Sequence, residues 1–309
     1  MRIDKIIELS EQALGHPILS ARKLMETPTC FIYILRDKQQ RYLFKLFNRE
    51  KWPEKDKLVT VKNLLAEKNI ICQAIHYYNH EPCEDFYGGY LIEDLIESDT
   101  VSHLSFDPSF GNSLYRRVTD YIKDIHQIKL PFYGYFGADR VKSDTYTGFL
   151  DKSFRDRCDF LLREALFNEC RLEQLKRELL TRLRDLGVDS LPSVLNHGDI
   201  HNDNISITRD DQIFFTTWDG AIALPWINDL AFFTLRMLSY YPQMDAHQYR
   251  EIILNTYCTK SEKRFFKKCE PLLHILFTLS DLNIHIGMPH YDTLYQFLLS
   301  LLERAHIKF

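Results

Sequence analysis

Hydrophobic and polar positions change rhythm near residue 94. Before it, short β-branched and aromatic runs alternate with turn residues: residues 30–35, the polar turn Asp37-Lys38-Gln39-Gln40, residues 42–47, and later residues 87–92. Such runs bounded by turn chemistry predict strands, and a tight turn between two of them predicts antiparallel pairing. Two helices interrupt this pattern. One covers about residues 55–68, with Leu58, Val61, Leu64 and Leu65 on one face. The other covers about residues 4–14, is stopped by Gly15, and is expected to pack outside the sheet.

Beyond residue 94 the apolar spacing is helical. Leu114, Val118, Tyr121, Ile122 and Ile125 recur at three and four, as do Leu172, Leu175, Leu179, Leu183 and Leu186 ahead of Gly187. A last helix carries Leu294, Phe297, Leu298, Leu301 and Leu302. Strand-like runs at residues 191–195 and 205–207 break the helical half, and the second forms a hairpin with residues 213–216 through Arg209-Asp210-Asp211. The pattern predicts an α+β protein, with a small antiparallel-sheet part over residues 1–94 and a larger helical part over residues 95–309.

Composition adds exclusions. With 309 residues, 45% hydrophobic and 27% charged, the chain is an ordinary globular protein with room for two cores. A formal charge of -4 supplies no basic field for nucleic acid and leaves room for a cationic substrate. The apolar run at residues 272–279, interrupted by His274, is too short to span a membrane, and Met1-Arg2-Ile3-Asp4-Lys5 lacks a signal-peptide core. No membrane partner and a cytoplasmic location are therefore expected. The seven cysteines are odd in number and have no paired close spacing, so they read as free thiols, mostly core filler.

The chemistry lies in His197-Gly198-Asp199-Ile200-His201-Asn202-Asp203-Asn204, a polar loop between two apolar runs. An Asp followed five positions later by an Asn is the spacing of a phosphoryl-transfer loop, in which the Asp receives the substrate hydroxyl proton and the Asn holds magnesium. Gly198 stands where protein kinases carry Arg, which removes the partner of an activation-loop phosphate. A plain turn would explain the Gly, Asp and Asn but not both histidines. A lone Lys45 also sits in the apolar run Arg41-Tyr42-Leu43-Phe44-Lys45-Leu46-Phe47. It is either an edge lysine reaching water or a buried cation that meets an anion.

The form His-Gly-Asp-x-His-x-x-Asn resembles the aminoglycoside phosphotransferase and choline kinase family, the small-molecule branch of the protein-kinase-like fold. The resemblance implies a two-lobed architecture with nucleotide between the lobes, ATP or GTP as donor, Mg2+, and a small-molecule hydroxyl as acceptor, such as an aminoglycoside or other antibiotic, choline or a sugar-like alcohol. A peptide or protein acceptor is a further alternative. Asp199 would be the base, His201 would order the loop, and Lys45 would hold the nucleotide phosphates. In Tyr90-Leu91-Ile92-Glu93-Asp94-Leu95-Ile96-Glu97, similar to the family hinge, backbone groups of Glu93 to Leu95 would pair with the base. Read alone, this stretch is an ordinary strand end.

Several positions depart from the family pattern. The loop expected over the phosphates, Glu26-Thr27-Pro28-Thr29-Cys30, has no Gly, leaving amides and the Thr27 and Thr29 hydroxyls. Near Thr60, where the family helix carries the acid that orients its Lys, none stands; Glu54 is a candidate, and its position also suits a helix dipole. In Thr216-Thr217-Trp218-Asp219-Gly220-Ala221 the family has its metal-binding Asp twelve positions before Asp229, where this chain has Thr217. Either Asp219 supplies the metal carboxylate together with Asn204, or the site has lost its ligand and the chain is a pseudokinase-like binding or scaffold protein. Asp229 is expected to cap its helix or tie down the loop, and His126 to make a buried backbone contact. The basic cluster Lys263, Arg264, Lys267 and Lys268 reads as the solvated face of an amphipathic helix. Tyr241, Asp245 and Tyr249 are candidates to line an acceptor pocket.

Overall fold

A computed structural model describes residues 2–27, 30–48, 53–54, 56–81, 88–104, 108–137, 140–163, 168–240, 245–284, 288 and 291–308. The chain divides into two compact units: Met1–Leu104 with Asn202–Asp219, and Ser105–His201 with Gly220–Phe309.

The first unit opens with α1 (Ile3–Leu14), which ends where Gly15 turns to φ 73° and its N–H closes on the Glu11 carbonyl. Then come β1 (Ser20–Glu26), β2 (Cys30–Arg36), β3 (Arg41–Phe47), α2 (Lys57–Glu67), β4 (Ile75–Asn79) and β5 (Tyr90–Asp94). The strands form one sheet in the order β1-β2-β3-β5-β4, antiparallel throughout, with α2 inserted after β3 as the pattern predicts. Asp37 fixes the β2–β3 turn by accepting the N–H groups of Gln39 at 2.6 Å and Gln40 at 2.7 Å. α1 covers one sheet face: Ile6 and Leu9 pack with Tyr33, Leu35, Tyr42, Phe44, Leu46 and Ile92. Strand alternation sends Leu43, Lys45 and Phe47 to the other face. On α2, Leu58, Val61 and Leu65 are buried, but so are Lys57 and Lys62. β6 (Ser98–Thr100) follows.

The second unit holds α3 (Pro108–Ile125), β7 (Tyr133–Gly134), β8 (Lys142–Ser143), α4 (Tyr146–Arg163), α5 (Glu169–Asp185) and β9 (Val194–Asn196). Asn168 caps α5 by accepting from the N–H groups of Cys170 and Arg171, and the helix buries Leu172, Leu175, Leu179 and Leu183, the predicted stripe. The chain then rejoins the first unit for β10 (Ile205–Thr208) and β11 (Ile213–Phe215), the predicted hairpin, with β6 on the other edge of β10. Back in the second unit, β12 (Ile222–Leu224) completes the sheet β8-β7-β12-β9 and leads into α6 (Ile227–Tyr240), α7 (Ala246–Tyr257), α8 (Lys260–Ile284) and α9 (Tyr291–Arg304). The apolar run at residues 272–279 is the buried middle of α8. Its basic start is a polar face as expected, with Lys263 Nζ 2.6 Å from Glu251 and Phe266 turned into the core. The architecture is α+β, an antiparallel sheet followed by helices, and among the described residues no helix is long and apolar enough to cross a membrane.

Candidate active site

Lys45 is buried, and its Nζ lies 2.6 Å from Glu93 Oε1. The strand register explains the meeting. Leu43 stands opposite Glu93 and Lys45 opposite Leu91, so Lys45 and Glu93 are diagonal neighbours on one sheet face. The second Glu93 oxygen takes Lys62 Nζ from α2 at 3.3 Å. Burial pushes the Glu93 carboxyl up, but Lys45 and Lys62 outweigh it and hold the group below the usual carboxylate range. Burial pulls the Lys45 ammonium down, and Glu93 with Asp219 more than restores it, so the cation persists. The edge-lysine reading therefore fails.

No acid of α2 orients this lysine. Glu54 pairs with Lys57 at 3.0 Å, and the anion facing Lys45 comes from β5. Glu93, singled out from the sequence for its backbone, thus contributes its side chain as well. Leu95, just past β5, has its N–H directed at the Arg41 carbonyl at 3.4 Å. Thr29 lies outside the described residues, while Thr27 Oγ1 accepts the Cys30 N–H at 3.0 Å. Sequence reasoning missed Lys57 and Lys62. The signal was there, because both fall on the Leu58, Val61, Leu65 stripe, where a lysine interrupts an apolar face just as Lys45 interrupts its strand.

After β11 the chain makes a tight, tethered turn. The Thr216 N–H donates to the Asn204 carbonyl at 3.0 Å and the Trp218 indole to the Phe215 carbonyl at 3.0 Å. Thr217 sits at φ 60°, a left-handed conformation uncommon for a β-branched residue. Asp219 follows, 5% exposed, with Oδ1 buried and lacking a hydrogen-bond partner. Burial pushes its carboxyl above the usual range against the pull of Lys45 and Lys57. A bare, buried carboxylate oxygen is what a divalent cation would complete, and Asn204, also buried, carries an amide oxygen of the same hard type. Among the described residues no group of three His, Cys, Asp or Glu side chains is placed to hold a metal. Mg2+, which keeps several waters and binds through one or two carboxylates plus phosphates, fits such a sparse donor set.

The second unit organises the loop that starts at His197. β9 and β12 pair with Asn196 opposite Ile222. The Asp229 carboxylate, fully buried on α6, accepts the His197 N–H at 2.7 Å and the Gly198 N–H at 2.9 Å, so it ties the loop down. His126 is a correction: it contacts side chains, with Nε2 3.3 Å from Asp229 Oδ2 and Nδ1 2.7 Å from the Tyr257 hydroxyl. Gly198, at φ 78°, is required, since a Cβ there would lie 2.1 Å from the Gly220 carbonyl oxygen. Asp199 keeps 39% of its side chain exposed, and its Oδ2 lies 3.6 Å from His201 Nε2. Burial raises its carboxyl, but His201 and His197 prevail and hold it below the usual range, so it is a carboxylate at neutral pH. Of the candidate acceptor residues, Asp245 caps α7 by accepting the Gln248 N–H, Tyr249 is buried against Tyr115, and Tyr241 lies outside the described residues.

Residues 32–260 match the family model described as the phosphotransferase enzyme family. No curated protein matches the chain by sequence. Several solved structures share its fold. A thermostable mutant of aminoglycoside phosphotransferase APH(4)-Ia, in ternary complex with ADP and hygromycin B, aligns with a TM-score of 0.71 at 13% identity over 99% of this chain and 100% of that one. Choline kinase LicA from Streptococcus pneumoniae aligns at 0.63 and 18% identity over 97% and 99%. Plasmodium vivax ethanolamine kinase aligns at 0.65 and 14% over 93% and 82%. These neighbours share a kinase-like fold.

Proposed function

The chain belongs to the phosphotransferase enzyme family, and from that premise we propose that it moves the γ-phosphoryl group of ATP to a hydroxyl of a small molecule, with Asp199 as the base. In this reading residues 1–94 hold the nucleotide, and residues 95–309 carry the catalytic loop and the acceptor site. The observation that carries it is the bare Oδ1 of Asp219, set in a buried cluster with a lysine that stays charged.

Lys45, oriented by Glu93, binds the α and β phosphates, the loop that carries Thr29 faces the same phosphates, and the base pairs with main-chain carbonyls between Glu93 and Leu95, because the Asp94 and Leu95 N–H groups already donate to Ala74 and Arg41. Asn204 and Asp219 would hold Mg2+, which would neutralise phosphate charge. Asp199 accepts the proton of the acceptor hydroxyl as its oxygen bonds to the γ-phosphorus. The bond from that phosphorus to the bridging oxygen breaks, and ADP leaves with the electron pair. His201 orders the loop beside Asp199. Aminoglycosides and other antibiotics, choline and related amino alcohols, and sugar-like alcohols are the acceptor classes to test. A panel of such compounds assayed for ADP release, with Asp199→Asn as blank, checks the proposal. Release that depends on the acceptor and falls at least about 100-fold in the variant is expected. Equal release by both proteins would refute the role of Asp199.

A further inference from the structure

Lys57 is the first residue of α2, and its side chain is 1% exposed. Two features make this an unfavourable place for an ammonium, and the backbone leading into it is strained. Burial strips its water. The helix start presents its own positive dipole end, which disfavours a cation. The residue before it, Asp56, is forced to φ 61° with no side-chain cap on the helix. Among the partners of the ammonium are Glu54 Oε2 at 3.0 Å, from the approach to the helix, and the main-chain carbonyl of Asp219 at 2.5 Å.

That carbonyl belongs to the residue whose Oδ1 is bare, two positions after Thr217, itself held at φ 60°. A β-branched residue relaxes out of the left-handed region unless its surroundings oppose it. We propose that Lys57 is a positioning residue for the cation-binding carboxylate: by pinning the Asp219 carbonyl, it keeps residues 217–219 in the strained turn that presents Oδ1. The inference rests on the reading of Asp219 as a metal ligand. It adds that the ligand is held in place from α2 by a lysine, through the backbone.

Calorimetric titration of Mn2+ into the full chain with saturating ADP tests this without turnover. Lys57→Met is expected to weaken Mn2+ binding by about 10–100-fold, the usual effect of losing an outer partner of a metal ligand. Thr217→Gly alone is the reference for the double variant, because glycine takes a positive φ without strain. Combined with Lys57→Met, it is expected to recover most of the affinity, which a merely structural role for Lys57 would not produce. Should Lys57→Met fail to fold, Glu54→Gln loosens the same ammonium from its other side, with weaker Mn2+ binding again relieved by Thr217→Gly. Unchanged affinity in Lys57→Met or, failing that, in Glu54→Gln, or a loss that Thr217→Gly does not relieve, would overturn the inference. Asp219→Asn separates the two claims. If it binds Mn2+ normally, the ligand assignment fails and the inference with it; if it loses binding while Lys57→Met keeps it, only the role of Lys57 fails.

Discussion

Replacing Glu93 by Gln would leave Lys45 and Lys62 facing each other without their shared anion. At an effective dielectric of about 20, a unit pair at 2.6 Å attracts with about 6 kcal/mol and one at 3.3 Å with about 5. Desolvation of the three charges cancels most of that, and removing one partner of a buried ion pair costs about 3–5 kcal/mol net. For cooperative unfolding of 309 residues, at about 2.1 cal/mol/K of unfolding entropy per residue, the loss corresponds to a midpoint drop of about 5–8 °C. Differential scanning calorimetry at neutral pH measures it. The formal charges of Lys45, Lys57 and Lys62 balance those of Glu54, Glu93 and Asp219, so Glu93→Gln/Lys62→Met restores the balance. The double variant should recover about 1–3 kcal/mol relative to the single one. The pH dependence has a defined sign. A carboxyl held below its ordinary value of 4.5 stabilises the fold above that value, and loses this contribution as pH falls through the lower folded value. The gap between the natural chain and Glu93→Gln should therefore be constant near neutrality and close only in acid. A midpoint for Glu93→Gln within 1 °C of the natural chain, or a double variant less stable than the single one, would refute the shared-anion reasoning.

Asp219 should behave in the opposite way. Its carboxyl is raised by burial, so its contribution to stability is full below the ordinary value of 3.8 and is lost as pH rises through the folded value. Asp219→Asn should thus raise the melting midpoint of the ligand-free protein at neutral pH while lowering phosphoryl transfer by at least about 100-fold. Asp229→Ala strands the buried His197 N–H, at about 1–3 kcal/mol, and the half-buried Gly198 N–H at less, which urea denaturation would register together with a drop in kcat. Burial pushes His274 down to about 4 from 6.5. The unfolded chain binds that proton first, so stability should fall by about 3 kcal/mol as pH drops from 6.5 to 4, and His274→Gln should flatten urea-derived stability across that window.

Local pattern carried much of this molecule. Strand and helix positions follow from periodicities that any short window displays. The 205–215 hairpin, the stripe on α5 and the cap at Gly15 formed where predicted, because propensity and turn chemistry act over a few residues. The candidate catalytic loop was legible for the same reason, since Asp199 and Asn204 lie five positions apart in one unbroken segment. Lys45 was conspicuous as a charge in an apolar strand.

The partners of those residues were decided elsewhere. Glu93 meets Lys45 only because β5 pairs with β3 in one register; a shift of one residue would put its side chain on the opposite sheet face. Lys57 and Lys62 face inward because α2 packs its interrupted stripe against the first unit, and helix periodicity alone does not distinguish a buried lysine from one that reaches water. The bare oxygen of Asp219 and the anchoring of the loop by Asp229 are likewise tertiary. Sequence spacing determines which chemistry is available, but desolvation, charge pairing and hydrogen-bond satisfaction act through space and are set only when distant segments close on one another.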